Sequence, residues 1–143
     1  MIHPHTYIHP NAKLATNVKV DPFTVIHQNV EIGEGTWIGS NVTIMEGARI
    51  GKNCRIFPGA VLSASPQDLK FEEEDTLVEI GDNTTIREFV TIHRGTKDRW
   101  KTSVGKNCLI MAYSHLAHDC IIGDHCIMSN NTQIAGHVTI GDY

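Results

Sequence analysis

Between residues 115 and 137 the chain gathers groups suited to moving a proton: His115, His118, Asp119 and His137, with Gly136 beside the last of them. An imidazole with an ordinary pKa of about 6.5 is the natural general base near neutrality. An adjoining carboxylate can fix its tautomer and stabilise the imidazolium that forms. A bare glycine amide can donate to a developing oxyanion. No Ser or Cys is placed as a nucleophile among these residues, which favours direct transfer over a covalent intermediate. Two other readings compete. The chain has nine histidines, and these could be ordinary surface residues on turns. A zinc site would need convergent rings, and the three-residue step from His115 to His118 does not guarantee them, so no metal is expected.

What positions these residues is a period of six. An aliphatic side chain returns at every sixth residue from Ile2 to Leu62, again at Ile80, Ile86 and Ile92, and again from Val104 to Ile140, with Met128 the one methionine. Two residues before each lies a compact side chain, such as Thr24, Ala48, Cys54, Cys108 or Ser114. Strand side chains alternate faces, so residues two apart share a side. Each hexad is therefore a short strand with one large and one small inward residue, followed by a turn. Three residues after the aliphatic comes Asn or Gly in most hexads, among them Asn11, Asn29, Gly47, Asn83, Gly95 and Asn107. These tolerate positive φ, which predicts left-handed corners at that slot. Three such strands close an 18-residue triangular coil. The fold class is all-β, a parallel β-helix, and the 21 aliphatic hexads make about seven coils, roughly 34 Å tall at ~4.8 Å per coil. Residues 18 apart then stack, which sets His137 on Asp119 and joins His118, Asp119, Gly136 and His137 in one patch. In this stretch the corner slot departs from Asn or Gly at Tyr113, Asp119, His125 and His137. A local rule broken without structural gain is the mark of a site.

Two segments, 63–79 and 93–103, drop the period and read as loops thrown out from corners. The first holds the acidic run Glu72 to Asp75, read as a solvated tip. The second is basic, with Arg94, Lys97, Arg99, Lys101 and the following Lys106, and also reads as solvated, with contact to an acidic partner as the alternative. All four cysteines, Cys54, Cys108, Cys120 and Cys126, fall in the small inward slot and are expected to be buried free thiols rather than disulfides or ligands. On that view Cys120→Ser buries an unpaired hydroxyl and costs about 1–3 kcal/mol. At 143 residues the chain makes one domain, 1–143. A net charge of −4 and a pI near 6.1 argue against nucleic acid as a partner. No apolar run approaches the roughly 18 residues of a membrane span. The start, MIHPHTYIHP, has neither the basic nor the apolar stretch of a signal peptide, which points to the cytoplasm.

Four segments, SPQDLK (65–70), VTIHRGT (90–96), HLAHDC (115–120) and IAGHVTI (134–140), lie in order on the hexapeptide background. Together they resemble the UDP-N-acetylglucosamine O-acyltransferases of lipid A synthesis. The hexapeptide pattern alone is shared by many acyltransferases; the QDLK loop with IHRGT and HxAHD is far more specific. The resemblance implies a left-handed β-helix and transfer of a 3-hydroxyacyl group from acyl carrier protein to the 3-hydroxyl of UDP-N-acetylglucosamine. It implies His118 as general base, Asp119 as its support and the Gly136 amide facing the thioester oxyanion. Asp68 would hold sugar hydroxyls, while Gln67, Lys70, His115 and His137 would line the substrate cleft. Homotrimers with sites between subunits are implied too, and no cofactor is expected. Members of that family continue with further coils and a helical domain. A pattern that stops at Tyr143 partway through a hexad is therefore expected to be a truncated chain with little activity of its own. The alternatives are another hexapeptide enzyme (the N-acyltransferase of the same route or an acetyl-CoA-dependent sugar acetyltransferase), a γ-type carbonic anhydrase, or a non-catalytic β-helix.

Overall fold

The structure is a computed structural model describing residues 1–143. Its regular elements are short strands joined by tight turns, and they build three parallel sheets. The first face stacks Tyr7–Ile8, Val25–Ile26, Thr43–Ile44, Val61–Ala64, Thr91–His93, His115–Leu116 and Gln133–Ile134. The second stacks Lys13–Leu14, Glu31–Ile32, Ala48–Ile50, Leu77–Ile80, Lys101–Val104, Ile121–Ile122 and Thr139–Ile140. The third stacks Lys19–Val20, Trp37–Ile38, Arg55–Ile56, Thr85–Ile86, Leu109–Ile110 and Ile127–Met128. The chain visits the faces in rotation, and partners sit one coil apart, as Tyr7 with Val25 and Ile121 with Thr139. This is the expected left-handed parallel β-helix of about seven coils.

The aliphatic slots form the axis of the prism. Ile26, Ile44, Ile56, Ile92, Ile110 and Leu116 are all fully buried, and each is worth about 1.5–3 kcal/mol of transfer free energy. The compact inward slot has a second requirement that periodicity does not reveal. Its polar occupants donate to a carbonyl at the same corner of the next coil: Thr24 to Gly39 at 2.6 Å, Ser114 to Ser129 at 3.0 Å and Cys120 to Ala135 at 2.9 Å. Thr, Ser and Cys are interchangeable there because each offers one short donor. All four cysteines are buried and unpaired, as expected. The premise of the penalty expected for Cys120→Ser, an unpaired hydroxyl, is overturned, since the new hydroxyl would meet the acceptor that the thiol already uses.

Corner residues take positive φ, for example Asn17, Asn29, Asn83 and Asn107. Asn11 and Gly95 do not: the Asn11 amide bonds the His9 ring at 3.0 Å, and Gly95 is drawn into the second loop. Asp119 (φ 62°) and His137 (φ 66°) are left-handed without being Asn or Gly, at a cost of order 1–2 kcal/mol each.

The loops are shorter than 63–79 and 93–103. Strand pairing extends through Ala64 and resumes at Leu77, then extends through His93 and resumes at Lys101. The reason is that both excursions leave at the corner between the first and second faces, so their stems pair with each other: Ala64 with His93, Leu77 with Lys101 and Val78 with Thr102. The acidic tip is largely solvated, as expected. The basic loop is so only in part, with Lys97, Asp98 and Trp100 exposed and residues 93–96 buried. Arg94 is buried, 3.4 Å from the Glu46 carboxylate and stacked over the Phe71 ring at 5.2 Å. Burying a guanidinium is tolerable only with such partners.

Candidate active site

The same corner that emits both loops carries, on the next two coils, His118–Asp119 and Gly136–His137. Backbone pairing holds them in register, with the His137 amide donating to the His118 carbonyl at 3.1 Å. Asp119 is fully buried, and its Oδ2 lies 3.0 Å from His118 Nδ1. His137 packs edge-to-face on His118 with ring centroids 4.9 Å apart. Gly136 is small for a reason of space. A Cβ there would sit 2.7 Å from His118 Cε1 and 2.8 Å from Nε2, inside van der Waals contact. The edge of His118 bearing Nε2 therefore faces the Gly136 backbone. The Gly136 amide makes no hydrogen bond within the chain. That slot is left open by the coil, and Pro10, Pro22 and Pro58 occupy it elsewhere.

Beside this dyad lies a cleft of about 410 Å³ lined by Gln67, Asp68, Lys70, His93, Ala117, His118, Gly136 and His137. The fold thus brings Gln67, Asp68 and Lys70 of the first loop against the histidines of later coils, with Asp119 beneath. His115 is the exception. It stands on the first face, where Nδ1 meets Thr91 Oγ1 at 2.7 Å, and it touches the cleft only through His93, whose ring centroid is 4.6 Å away. A larger groove of about 740 Å³ runs along the second face past Lys13, Glu31, Arg49 and Glu79, away from these histidines. Its cross-strand ion pair, Arg49–Glu31 at 3.3 Å, reads as sheet support.

Electrostatics separate the ionisable groups. Burial would raise the Asp119 carboxyl, but the Thr96 hydroxyl, His118 and the amides of Thr96 and Arg99 together hold it below its ordinary value. Asp119 is thus a carboxylate across the neutral range. Burial, with repulsion from His115 and His118, pushes His93 down to about 4, and burial also lowers His115 against its bond to Thr91. Lowered in this way, the rings at 93 and 115 add no positive charge beside His118 near neutrality.

Sequence reasoning missed His93, Thr96 and Asp98. His93 is 8% exposed and lines the cleft. Thr96 binds Asp119 through both its amide (2.9 Å) and its hydroxyl. Asp98 Oδ2 lies 2.7 Å from His137 Nδ1. All three leave or border the repeat, so no period indicated where they go; the signal available was that the basic loop holds an Asp and a Thr within reach of the same corner. His118, Asp119 and His137 place ligand atoms within 4.8 Å of one another, the spacing of a metal cluster. Both Asp119 oxygens are already taken by loop donors and His118, so the set offers a metal two free imidazole nitrogens at most.

The six-repeat bacterial transferase hexapeptide model matches residues 29–64 and 101–136. The chain belongs to the bacterial transferase hexapeptide family. Within that family it is 57% identical, over its whole length, to the acyl-[acyl-carrier-protein]–UDP-N-acetylglucosamine O-acyltransferase of Xylella fastidiosa, of which it covers 55%. Among solved structures it superposes on LpxA from Acinetobacter baumannii with a TM-score of 0.97 at 45% identity, over 99% of this chain and 55% of that one. The UDP-N-acetylglucosamine acyltransferase of Francisella novicida gives a TM-score of 0.97 at 48% identity, over 100% and 52%. The chain therefore spans about half the length of these family members.

Proposed function

We propose that residues 1–143 form the catalytic β-helix domain of an enzyme that transfers a 3-hydroxyacyl group from acyl carrier protein to the 3-hydroxyl of UDP-N-acetylglucosamine. The observation that carries the reading is the buried Asp119–His118 dyad, whose free imidazole edge abuts a cleft lined by Gln67, Asp68 and Lys70. The names and high identity of the family members above support the same substrates.

In this reading the Asp119 carboxylate accepts a hydrogen bond from His118 Nδ1–H, which leaves Nε2 unprotonated as the base. Nε2 takes the proton of the sugar 3-hydroxyl as its oxygen attacks the thioester carbonyl. The Gly136 amide donates to the oxyanion of the tetrahedral intermediate. The carbon–sulfur bond then breaks, and the imidazolium returns its proton to the departing thiolate. Asp68 accepts from sugar hydroxyls, Lys70 and Gln67 meet the polar remainder of the acceptor, and His137, tethered by Asp98, closes one wall. His115 acts through His93 at the cleft's edge. No resident metal or cofactor enters this scheme. We further propose a homotrimer with sites between subunits and a cytoplasmic location. No helix in the structure is long and apolar enough to cross a membrane.

The test is product analysis on the natural protein that carries these residues, offered UDP-N-acetylglucosamine with 3-hydroxyacyl carrier protein or with acetyl-CoA. A 3-O-acylated sugar nucleotide formed only from the carrier protein is expected. Acetyl transfer from the coenzyme, or CO₂ hydration by metal-loaded protein, would replace this reading. Light scattering decides the trimer.

A further inference from the structure

We infer that Thr96 is a positioning residue for the proposed transfer: it locks the Asp119 carboxylate and, through it, the tautomer and orientation of His118. The inference rests on the proposed role of His118 for its kinetic consequence, though not for its structural one.

Thr96 lies in the short excursion 94–100, which folds back over the corner so that Thr96 is 6% exposed and Asp119 fully buried. An ionised carboxylate is acceptor-only and offers about four lone-pair directions. At Asp119 the acceptor sites are filled. Oδ1 receives the Thr96 amide at 2.9 Å and the Arg99 amide at 3.2 Å, and Oδ2 receives the Thr96 hydroxyl and His118 Nδ1, the latter at 3.0 Å. The Asp119 amide in turn donates to Thr102 Oγ1 at 2.9 Å, which fixes the backbone beneath the carboxylate. Thr96 alone contacts both oxygens. Two consequences follow. Rotation of the carboxylate would break several bonds at once, so the left-handed backbone at Asp119 is held against its strain. And because Oδ2 stays ionised, His118 Nδ1 can only donate to it, which keeps the proton off Nε2. Without the Thr96 hydroxyl, Oδ2 keeps one donor instead of two, the carboxylate can turn, and the Nε2–H tautomer becomes competitive. That tautomer has no lone pair toward the cleft.

Other supports of the dyad do not do this. Arg99 contributes through its amide and through a guanidinium bonded to the Asp119 carbonyl (3.3 Å) and Thr139 (2.9 Å), away from the carboxylate. Asp98 holds His137, not His118.

The experiment compares Thr96→Val, which removes the hydroxyl but keeps shape and amide, with Thr96→Ser, which restores it. In the 143-residue chain, ¹⁵N NMR of the His118 ring needs no substrate. Wild type and Thr96→Ser should show the Nδ1–H tautomer, and Thr96→Val a mixture. In the natural protein, Thr96→Val should lower kcat about 10- to 100-fold, the scale of an ångström-sized misplacement of a catalytic group, with KM for UDP-N-acetylglucosamine within about twofold. Thr96→Ser should recover most of the rate. If Val prevents folding, Thr96→Ala against Thr96→Ser makes the same comparison. A wild-type tautomer and wild-type kcat in the hydroxyl-free variant would overturn the inference while leaving the proposed function intact. A changed tautomer in a protein that never acylates UDP-N-acetylglucosamine would overturn the function and leave the clamp standing.

Discussion

Adding one methyl group at position 136 should disable the dyad while removing no hydrogen bond donor. Gly136 has no positive φ, so alanine can adopt its backbone without strain. The new Cβ, however, would lie 2.7 Å from His118 Cε1, 2.8 Å from Nε2 and 3.2 Å from Nδ1. Carbon atoms in contact rest at about 3.5–4.0 Å, so the imidazole must retreat by nearly 1 Å. It cannot do so freely, because Nδ1 is tied to Asp119 at 3.0 Å and the His137 ring stands against its face. On stability the effects partly cancel. Gly→Ala gains about 0.4–1 kcal/mol from the unfolded chain, and overpacking costs about 1–3 kcal/mol, so the melting temperature should fall by only a few degrees. On rate they do not cancel. A displacement of about 1 Å in a catalytic group costs on the order of 10²-fold, or about 2.7 kcal/mol at 1.36 kcal/mol per decade. Because alanine keeps its amide, the loss cannot be charged to a missing oxyanion donor. Steady-state acyl transfer by Gly136→Ala, with a thermal melt as control, reads both quantities. A kcat within threefold of wild type in a well-folded variant would show that the position of His118 is not what the reaction depends on.

His118→Ala should lower kcat by about 10²–10⁴ and change the affinity for UDP-N-acetylglucosamine much less; near-normal turnover would remove His118 from the mechanism. The depressed titration of His93 predicts acid-labile stability. The folded ring is neutral down to about 4, while the unfolded one gains its proton near 6.5, so the contribution is complete above about pH 6.5 and is lost as pH falls toward 4. Its ceiling is about 3 kcal/mol. Urea melts at pH 7 and pH 4.5 should show this loss in wild type and a smaller one in His93→Gln, and equal losses would refute it. Cys120→Ser should cost less than about 1 kcal/mol, since the hydroxyl inherits the bond to the Ala135 carbonyl. Cys120→Leu should cost clearly more, because the full slot admits no extra methylenes; equal costs in chemical denaturation would show that the slot selects nothing.

How much of this was legible beforehand follows from the kind of contact each feature makes. In a β-helix every coil touches only its neighbours, so a sequence interval of 18 residues is also a spatial interval of one strand spacing. The hexad period therefore determined the strands, the inward slots that hold Ile44 and Cys120, the corners at Asn29 and Asn107, and the stacking of His137 on Asp119. It pointed to the candidate site as well, because Asp119 and His137 occupy a slot that in most hexads holds Asn or Gly. The aperiodic segments obey no such arithmetic. Thr96 reaches Asp119 across 23 residues and Asp98 reaches His137 across 39, and these intervals depend on how a loop closes, not on its composition. Only the tertiary structure decided that both loops leave one corner, that Arg94 turns inward to Glu46 while Lys97 stays in water, and that His93 is buried beside the cleft. A repeating backbone converts sequence distance into space; a loop is placed by the partners its side chains find, and those partners exist only once the coils have stacked.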